Sequence, residues 1–302
     1  MVSIIIVNYK TCDLLLECVS SIFDKTKFLK YEVIVVDNNS NDGSVQLLKN
    51  TFQEVRILEL DKNVGFGIAN NLAADIAKGE YLFFLNSDTV LINNAVKLLY
   101  DFIISNSNSN ILVCPNLFSI DLKPNTSFSN HFPSLIEELD FYFCNNLFYK
   151  LIEGKKSRFN YTQSVIEING FISGAAFLIS KENFLKINKF DSAFFMYYED
   201  TDLCLRLKKL NFKFFSLPSG KIIHLEGGNK KLSIEKVSII LNSKYLYYKK
   251  HFSNVLLWAL FLIISSACFL RIFLFLLVGN KSSRQFWKSY FTLNFQIFKK
   301  VI

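Results

Sequence analysis

Apolar positions at the start of the chain fall into two alternating rhythms. Ser3-Ile4-Ile5-Ile6-Val7, Tyr31-Glu32-Val33-Ile34-Val35-Val36, Val55-Arg56-Ile57-Leu58-Glu59-Leu60 and Tyr81-Leu82-Phe83-Phe84-Leu85 are short apolar runs rich in β-branched and aromatic residues. The first two are the pattern of strands covered on both sides, as in a parallel sheet, and the other two read as a third and a fourth strand. Helical spacing lies between them. After Thr11, a plausible N-cap, Leu14, Leu15, Cys18, Val19, Ile22 and Phe23 share one face. A second helix is expected to start near Ser44, and a third to run from Gly67 to Ala77 and stop at Gly79. Strand–helix alternation of this kind predicts an α/β fold with ligands held in the loops after the strands. Four such loops would converge, at Asn8, Asp37, Asn63 and Asp88.

The pattern then weakens. Residues 106–168 are rich in Asn, Ser and Phe and read as a variable loop region with short helices around Leu135 to Phe148. Order returns at Gly170-Phe171-Ile172-Ser173-Gly174-Ala175-Ala176-Phe177-Leu178-Ile179. Phe212 to Ser216 reads as a strand ending before Pro218, and Lys221-Ile222-Ile223-His224 as another. Near the C-terminus the run Val255 to Leu270 is apolar, and it resumes after Arg271 as Ile272 to Val278. A spanning helix needs about 20 mostly apolar residues. Here cations flank both sides: Lys244, Lys249 and Lys250 before, Lys281, Arg284 and Lys288 after. Orientation across a membrane needs asymmetric flanks, so the pattern favours a helix lying in the interface or a re-entrant hairpin.

Charge sharpens this division. The net charge of +8 is not spread evenly. Residues 230–302 hold 12 Lys and Arg against one acid, Glu235, whereas residues 1–229 hold 22 against 25. Anionic lipid attracts such cations by about 1 kcal/mol each. They bracket an apolar run rather than forming a stripe, so a nucleic-acid partner is not expected. The six cysteines form no CxxC pair and read as small buried hydrophobes of a reducing compartment. Val2 to Val7 is too short for the apolar part of a signal peptide. No GxGxxG follows the first strand and no Walker A sequence occurs, so a dinucleotide site and a P-loop are not supported. With 302 residues, half of them hydrophobic, the chain can form one large domain plus an appendage, or two domains.

Candidate chemistry centres on Phe195-Met196-Tyr197-Tyr198-Glu199-Asp200-Thr201-Asp202, where three carboxylates occupy four positions before a helical pattern. Acids this close repel and raise at least one pKa. They serve either as an acidic helix start or as a base, metal or cation site. Asp88, after Asn86-Ser87, is either a turn or helix cap before Val90-Leu91-Ile92 or a divalent-cation ligand supported by Asn86. His224 is either a buried histidine or a ligand beside the Gly227-Gly228 turn, suited to Mg2+ or Mn2+ in a mixed N/O site. Asp37 is an Asx turn or a contact to ribose or base. Asn63-Val64-Gly65-Phe66-Gly67 is a Gly turn or a loop whose amides approach a diphosphate.

In order, Ser3-Ile4-Ile5-Ile6-Val7-Asn8-Tyr9, Val35 to Ser44, Asn63-Val64-Gly65-Phe66, Leu85-Asn86-Ser87-Asp88, Gly174 to Ile179, Phe190-Asp191, Phe195 to Arg206 and Ile223-His224 together resemble glycosyltransferase family 2. The likeness is to its bacterial rhamnosyltransferase-like and galactofuranosyltransferase-like branch. It implies a single GT-A domain over residues 1–229, with a mostly parallel, Rossmann-like sheet flanked by helices. Residues 230–302 would be a basic, apolar, helical membrane-associating tail. It also implies inverting, metal-dependent transfer from a nucleoside-diphosphate sugar, with dTDP-rhamnose one candidate. The acceptor would be a hydroxyl of a lipid-linked saccharide, at the cytoplasmic face of the inner (plasma) membrane and against its anionic surface. By this resemblance Asp200 is the catalytic base, and Asp88 and His224 hold the metal. Asn8, Tyr9, Asp37, Asn63, Gly65, Asn86, Gly174, Glu199 and Asp202 line the substrate site. Asn86 replaces the first acid of the family's metal motif, and Leu225 stands where a second histidine is common. A polyprenyl-phosphate glycosyltransferase and a non-catalytic sugar-nucleotide-binding protein are the alternatives. A hydroxyl acceptor needs a base, and the acids at 88 and 200 favour catalysis.

Overall fold

The computed structural model describes residues 1–106, 110–144, 163–225 and 233–302. These divide into two compact units: one from Met1–Phe132, Arg158–Phe195 and Glu199–Asn229, the other from Pro133–Ser157, Met196–Tyr198 and Lys230–Ile302.

The first unit is built on a mixed sheet. Its strands are β1 (Val2–Asn8), β2 (Tyr31–Asp37), β3 (Arg56–Glu59), β4 (Tyr81–Asn86), β5 (Thr89–Leu91) and β6 (Ile111–Phe118), followed by β7 (Phe128–Ser129), β8 (Ile166–Ile168), β9 (Phe171–Ile172), β10 (Ala176–Ser180) and β11 (Lys213–His224). Among the described residues the main sheet runs β3-β2-β1-β4-β10-β6-β11-β5, with β8 also on β11, while β7 and β9 pair separately. The four strands legible in the sequence form its parallel half. The unbroken apolar runs of β1 and β4 have a simple cause. Ile4 and Ile6 face one core and Ile5 the other, and Phe83 and Phe84 divide in the same way, so both faces are buried. Register then places Asn8 beside Asp37 and Val7 beside Asn86, which brings the C-terminal ends of β1, β2 and β4 together.

The other half departs from the sequence pattern. The segment expected to be loop contains β6, buried along its whole length between β10 and β11. Pro115 and Asn116 interrupt its apolar rhythm, and both are accommodated. Pro115 pairs with Leu217 where the register of β11 shifts before Lys221, so a residue lacking an N–H meets a bulge. The Asn116 side chain accepts from Ser216 Oγ at 3.3 Å. The two short strands expected on either side of Pro218 are therefore one bulged strand. β11 has β6 along one edge, and β8 and then β5 along the other. Val90-Leu91 belong to β5 and not to a helix cap. Thr11 precedes its helix, Cys12–Lys25, but makes no side-chain cap bond; its hydroxyl donates to Asn8 Oδ1 at 2.7 Å.

The second unit is helical. Leu135–Phe143 opens with a capping box between Ser134 and Glu137. Residues 145–148 of the helical region expected around Leu135 to Phe148 lie outside the described residues. Ile234–His251, Asn254–Leu277 and Lys281–Val301 follow in sequence. Trp258 meets Phe298, and Phe269 meets Phe291, both at 4.6 Å between ring centroids. The last two helices are thus antiparallel, turning at Gly279 with φ +73°. Asn254–Leu277 is long and apolar enough to cross a membrane, with a mean hydropathy of 2.5. Several buried polar groups in this unit are paired. Lys244 meets Glu138 at 2.6 Å, Tyr142 hydroxyl meets Tyr290 hydroxyl at 2.7 Å, and Tyr245 donates to Asn294, which donates to Ser265.

Candidate functional site

Asn8 ends β1 fully buried, and its amide organises the end of the sheet. Nδ2 lies 2.9 Å from Asp37 Oδ1, 2.9 Å from Ser40 Oγ and 2.8 Å from Ser44 Oγ. The other Asp37 oxygen accepts from the Ser40 amide at 3.1 Å, which is the Asx-turn arrangement. Asn8 is therefore committed to the protein, and Asp37, only 6% exposed, is fixed with it. Tyr9 is 42% exposed beside them, with Lys10 Nζ 5.4 Å from its ring centroid.

Asn38 carries this order to the next loop. Its Nδ2 donates to Asn63 Oδ1 at 2.9 Å, its Oδ1 accepts from the Val64 amide at 2.9 Å, and the Gly65 amide returns to Asn63 Oδ1 at 2.9 Å. Asn63 is thus a hub of the loop. Gly65 has φ +86°, and a Cβ there would stand 2.2 Å from the carbonyl oxygen of Phe195. Phe66 N–H donates to that same oxygen at 2.9 Å. The absence of a side chain at 65 lets the loop close on the chain just before the acidic cluster. Asn38 was not among the expected site residues, because one Asn in the polar run Asp37 to Asn41 carries no distinguishing signal.

Asp88 and His224 are brought together by strand pairing. β5 and β11 pair antiparallel with His224 opposite Thr89, and the Leu225 amide donates to Asp88 O at 2.9 Å. His224 Nε2 lies 3.3 Å from Asp88 Oδ1 and 3.5 Å from Asn86 Nδ2. Asn125 Nδ2 donates to His224 O at 3.4 Å, a support the sequence did not suggest. A carboxylate oxygen and an imidazole nitrogen at this separation suit adjacent corners of one coordination shell of a divalent cation. Among the described residues no group of three or more His, Cys, Asp and Glu could hold a metal ion, so this pair would leave several positions to other ligands. Gly227 and Gly228 lie outside the described residues.

The three acids of the cluster have separate fates in the helix Glu199–Lys209. Asp202 is fully buried and bound by Arg206 Nε at 2.7 Å, while the rest of that guanidinium donates to the carbonyls of Ile187 and Lys189. Asp200 is partly buried. Its Oδ2 accepts from Gly174 N–H at 2.8 Å and its Oδ1 from Thr201 N–H at 2.6 Å. Burial raises its pKa, and these bonds oppose the rise. A Cβ at Gly174 would lie 3.4 Å from Asp200 Oδ2, in ordinary van der Waals contact. Glu199 is 6% exposed, and its Oε2 is buried without a hydrogen-bond partner among the described residues. Burial, then the neighbouring Asp200, pushes its carboxyl to about 8. Near neutral pH the cluster thus comprises an ion-paired Asp202, a neutral Glu199 and a hydrogen-bonded Asp200. Of the three, Asp200 is the one suited to accept a proton.

Comparison with known proteins agrees with this architecture. The sequence profile of Glycosyl transferase family 2 matches residues 3–187, and that of the N-terminal domain of galactosyltransferase matches residues 156–227. Rhamnosyltransferase WbbL of Escherichia coli K12 is 27% identical over 237 residues, covering 74% of this chain and 85% of that protein. A poly(ribitol-phosphate) beta-glucosyltransferase of Bacillus spizizenii is 37% identical over 106 residues, 33% of this chain, and the match spans only 17% of that larger protein. A crystal structure of GalNAc-T7 with UDP, GalNAc and Mn2+ superposes with TM-score 0.56 at 17% identity, covering 83% of this chain and 50% of that one, and so shares the fold. With more than half of its length matched, the chain belongs to glycosyl transferase family 2.

Proposed function

We propose that this protein transfers a sugar from a nucleoside-diphosphate donor to a hydroxyl of a lipid-linked saccharide, with inversion, during bacterial surface polysaccharide synthesis. The observation that carries this reading is the meeting of Asp88 and His224 at 3.3 Å, beside Asn86, at the sheet end organised by Asn8 and Asp37. Asp88 and His224 would hold Mg2+ or Mn2+, which would neutralise the charge developing on the leaving diphosphate. Asp37 and the Asn63–Gly65 loop would receive the nucleotide, with Tyr9 beside them. Asp200, held by Gly174, would take the proton of the acceptor hydroxyl as its oxygen attacks the anomeric carbon. Single displacement inverts that centre. Glu199 would border the acceptor as a neutral acid, and Asp202 would hold the helix through Arg206.

Rhamnose is one candidate sugar, favoured by the extent of similarity to the WbbL rhamnosyltransferase. The apolar helix Asn254–Leu277 and the basic residues around it fit a tail seated on the cytoplasmic face of the plasma membrane. The test is radiolabel transfer from a panel of nucleotide sugars to a bacterial membrane extract, with and without EDTA. Transfer to saccharide is expected from one donor, lost with EDTA and lowered by about 10²-fold or more in Asp200→Asn. Asp88→Ala should cost more than His224→Ala. Full activity after chelation would remove the metal, and transfer to the lipid phosphate itself would favour the polyprenyl-phosphate reading.

A further inference from the structure

The helix Leu135–Phe143 is built inside out. Its buried positions are Glu138, Asp140 and Tyr142, each no more than 6% exposed. Its outward positions are Ile136 (57%), Leu139 (45%), Phe141 (52%) and Phe143 (43%). A surface helix in water shows the reverse, with acids outside and apolar side chains in the core. A buried acid is costly unless paired, and Glu138 has its partner in this unit. Lys244 holds Glu138 at 2.6 Å, and Arg271 donates to the carbonyl of Tyr142 at 2.7 Å. Polar groups satisfied internally with an apolar exterior is the rule for protein that faces lipid.

Two further observations agree. Asn254–Leu277, which packs against this helix, buries Leu257, Leu260, Ile264 and Cys268 on one side. Val255, Trp258, Leu262, Phe269, Phe273 and Leu276 stand exposed, and their spacing puts them on one continuous stripe. Among the described residues of this unit, Lys and Arg number ten against four acids: Glu137, Glu138, Asp140 and Glu235. Such a surface complements an anionic bilayer.

We propose that Leu135–Phe143 is itself a membrane-seated element, its Ile136, Leu139 and Phe143 face lying in the interfacial layer of an anionic bilayer. The membrane-docking surface is then made of two stretches of chain, tied by a Glu138–Lys244 pair 106 positions apart. This rests on the membrane reading of the tail given above and extends it to a segment well upstream.

The test uses the full chain and vesicles of phosphatidylglycerol and phosphatidylcholine in equal parts. The double variant Leu139→Glu, Phe143→Glu changes only half-exposed side chains, so its melting temperature should match the parent's. Its vesicle partitioning should fall about tenfold or more. A polarity-sensitive dye on the exposed Cys144, with Cys12 replaced by Ser, should shift to the blue when vesicles are added. Unchanged partitioning together with an unshifted dye overturns the proposal. Leu262→Glu on the tail separates the two readings. Loss of binding there but not in the double variant sinks this inference and leaves the tail's membrane role standing. A parent that ignores the vesicles sinks both. If the double variant turns a dimer into a monomer in sedimentation and still binds vesicles fully, the face is a contact between copies and the proposal fails.

Discussion

Glu199 gives the sharpest prediction at the level of single residues. Its carboxyl is pushed to about 8, first by burial and then by Asp200. A folded-state pKa above the unfolded value means that the native state holds the proton more tightly. The resulting stabilisation is fully present below about pH 4.5 and is lost as pH rises through about 8. Glu199→Gln keeps the shape without the titration. The variant should gain in melting temperature over the parent as pH goes from 5 to 8, with the two closest at pH 5. Parallel melting curves across that range would show that Glu199 is already ionised. Asp202 gives a second prediction. It is fully buried against Arg206, so Arg206→Ala should cost about 3–5 kcal/mol, read by chemical denaturation, because a buried carboxylate loses its guanidinium. Asp202→Asn should be milder and should keep measurable transfer, in contrast with Asp200→Asn.

The loop Asn63–Phe66 shows how an element can depend on one missing side chain. A Cβ at Gly65 would strike the Phe195 carbonyl oxygen at 2.2 Å, and φ there is +86°. Gly65→Ala should therefore lower the melting temperature by several degrees. It should also weaken binding of a nucleoside diphosphate, measured by calorimetry, more than it slows turnover at saturation. Unchanged nucleotide affinity in a folded variant would remove this loop from the donor site. The parallel strands β1, β2 and β4 were legible in the sequence because burial on both faces writes a nearly unbroken apolar run. The meeting of Asp88 with His224 was legible only as a family resemblance, since pairing of β5 with β11 leaves no local mark. β6 was not legible at all. Pro115 and Asn116 break its rhythm, and what tolerates them, a bulge at Pro218 to Gly220 and the Ser216 hydroxyl, lies about a hundred residues away. The inside-out helix was hidden for a related reason. A pattern of apolar and polar positions does not say which side is the inside.

Over the whole molecule, charge and apolarity are gathered in the same stretch of chain. Residues 230–302 hold 12 cations against one acid around the apolar helix. Salt at 1 M shortens the screening length to about 3 Å and weakens the cationic contribution, but it does not screen apolar burial. High salt should thus release the full chain from membranes only in part, as read by sedimentation, and complete release by salt alone would show that Asn254–Leu277 is core packing. Removing the chain from Lys244 onward would not simply yield a trimmed soluble protein, because Glu138 would lose its buried partner.

The Glu138–Lys244 pair also has a consequence in time. Synthesis runs from the N-terminus, and domains form as their last strand becomes available. β11 carries both His224 and the partner surface for β6, so the sheet cannot close until residue 224 has left the ribosome. Glu138, made 106 residues before Lys244, spends that interval uncompensated. Its helix, with Glu138 buried against Lys244, can then settle only after the sheet is able to close. The order of manufacture therefore puts the catalytic unit first and the apolar surface last, which shortens the time that Phe141, Phe143 and the long apolar helix are offered together to water.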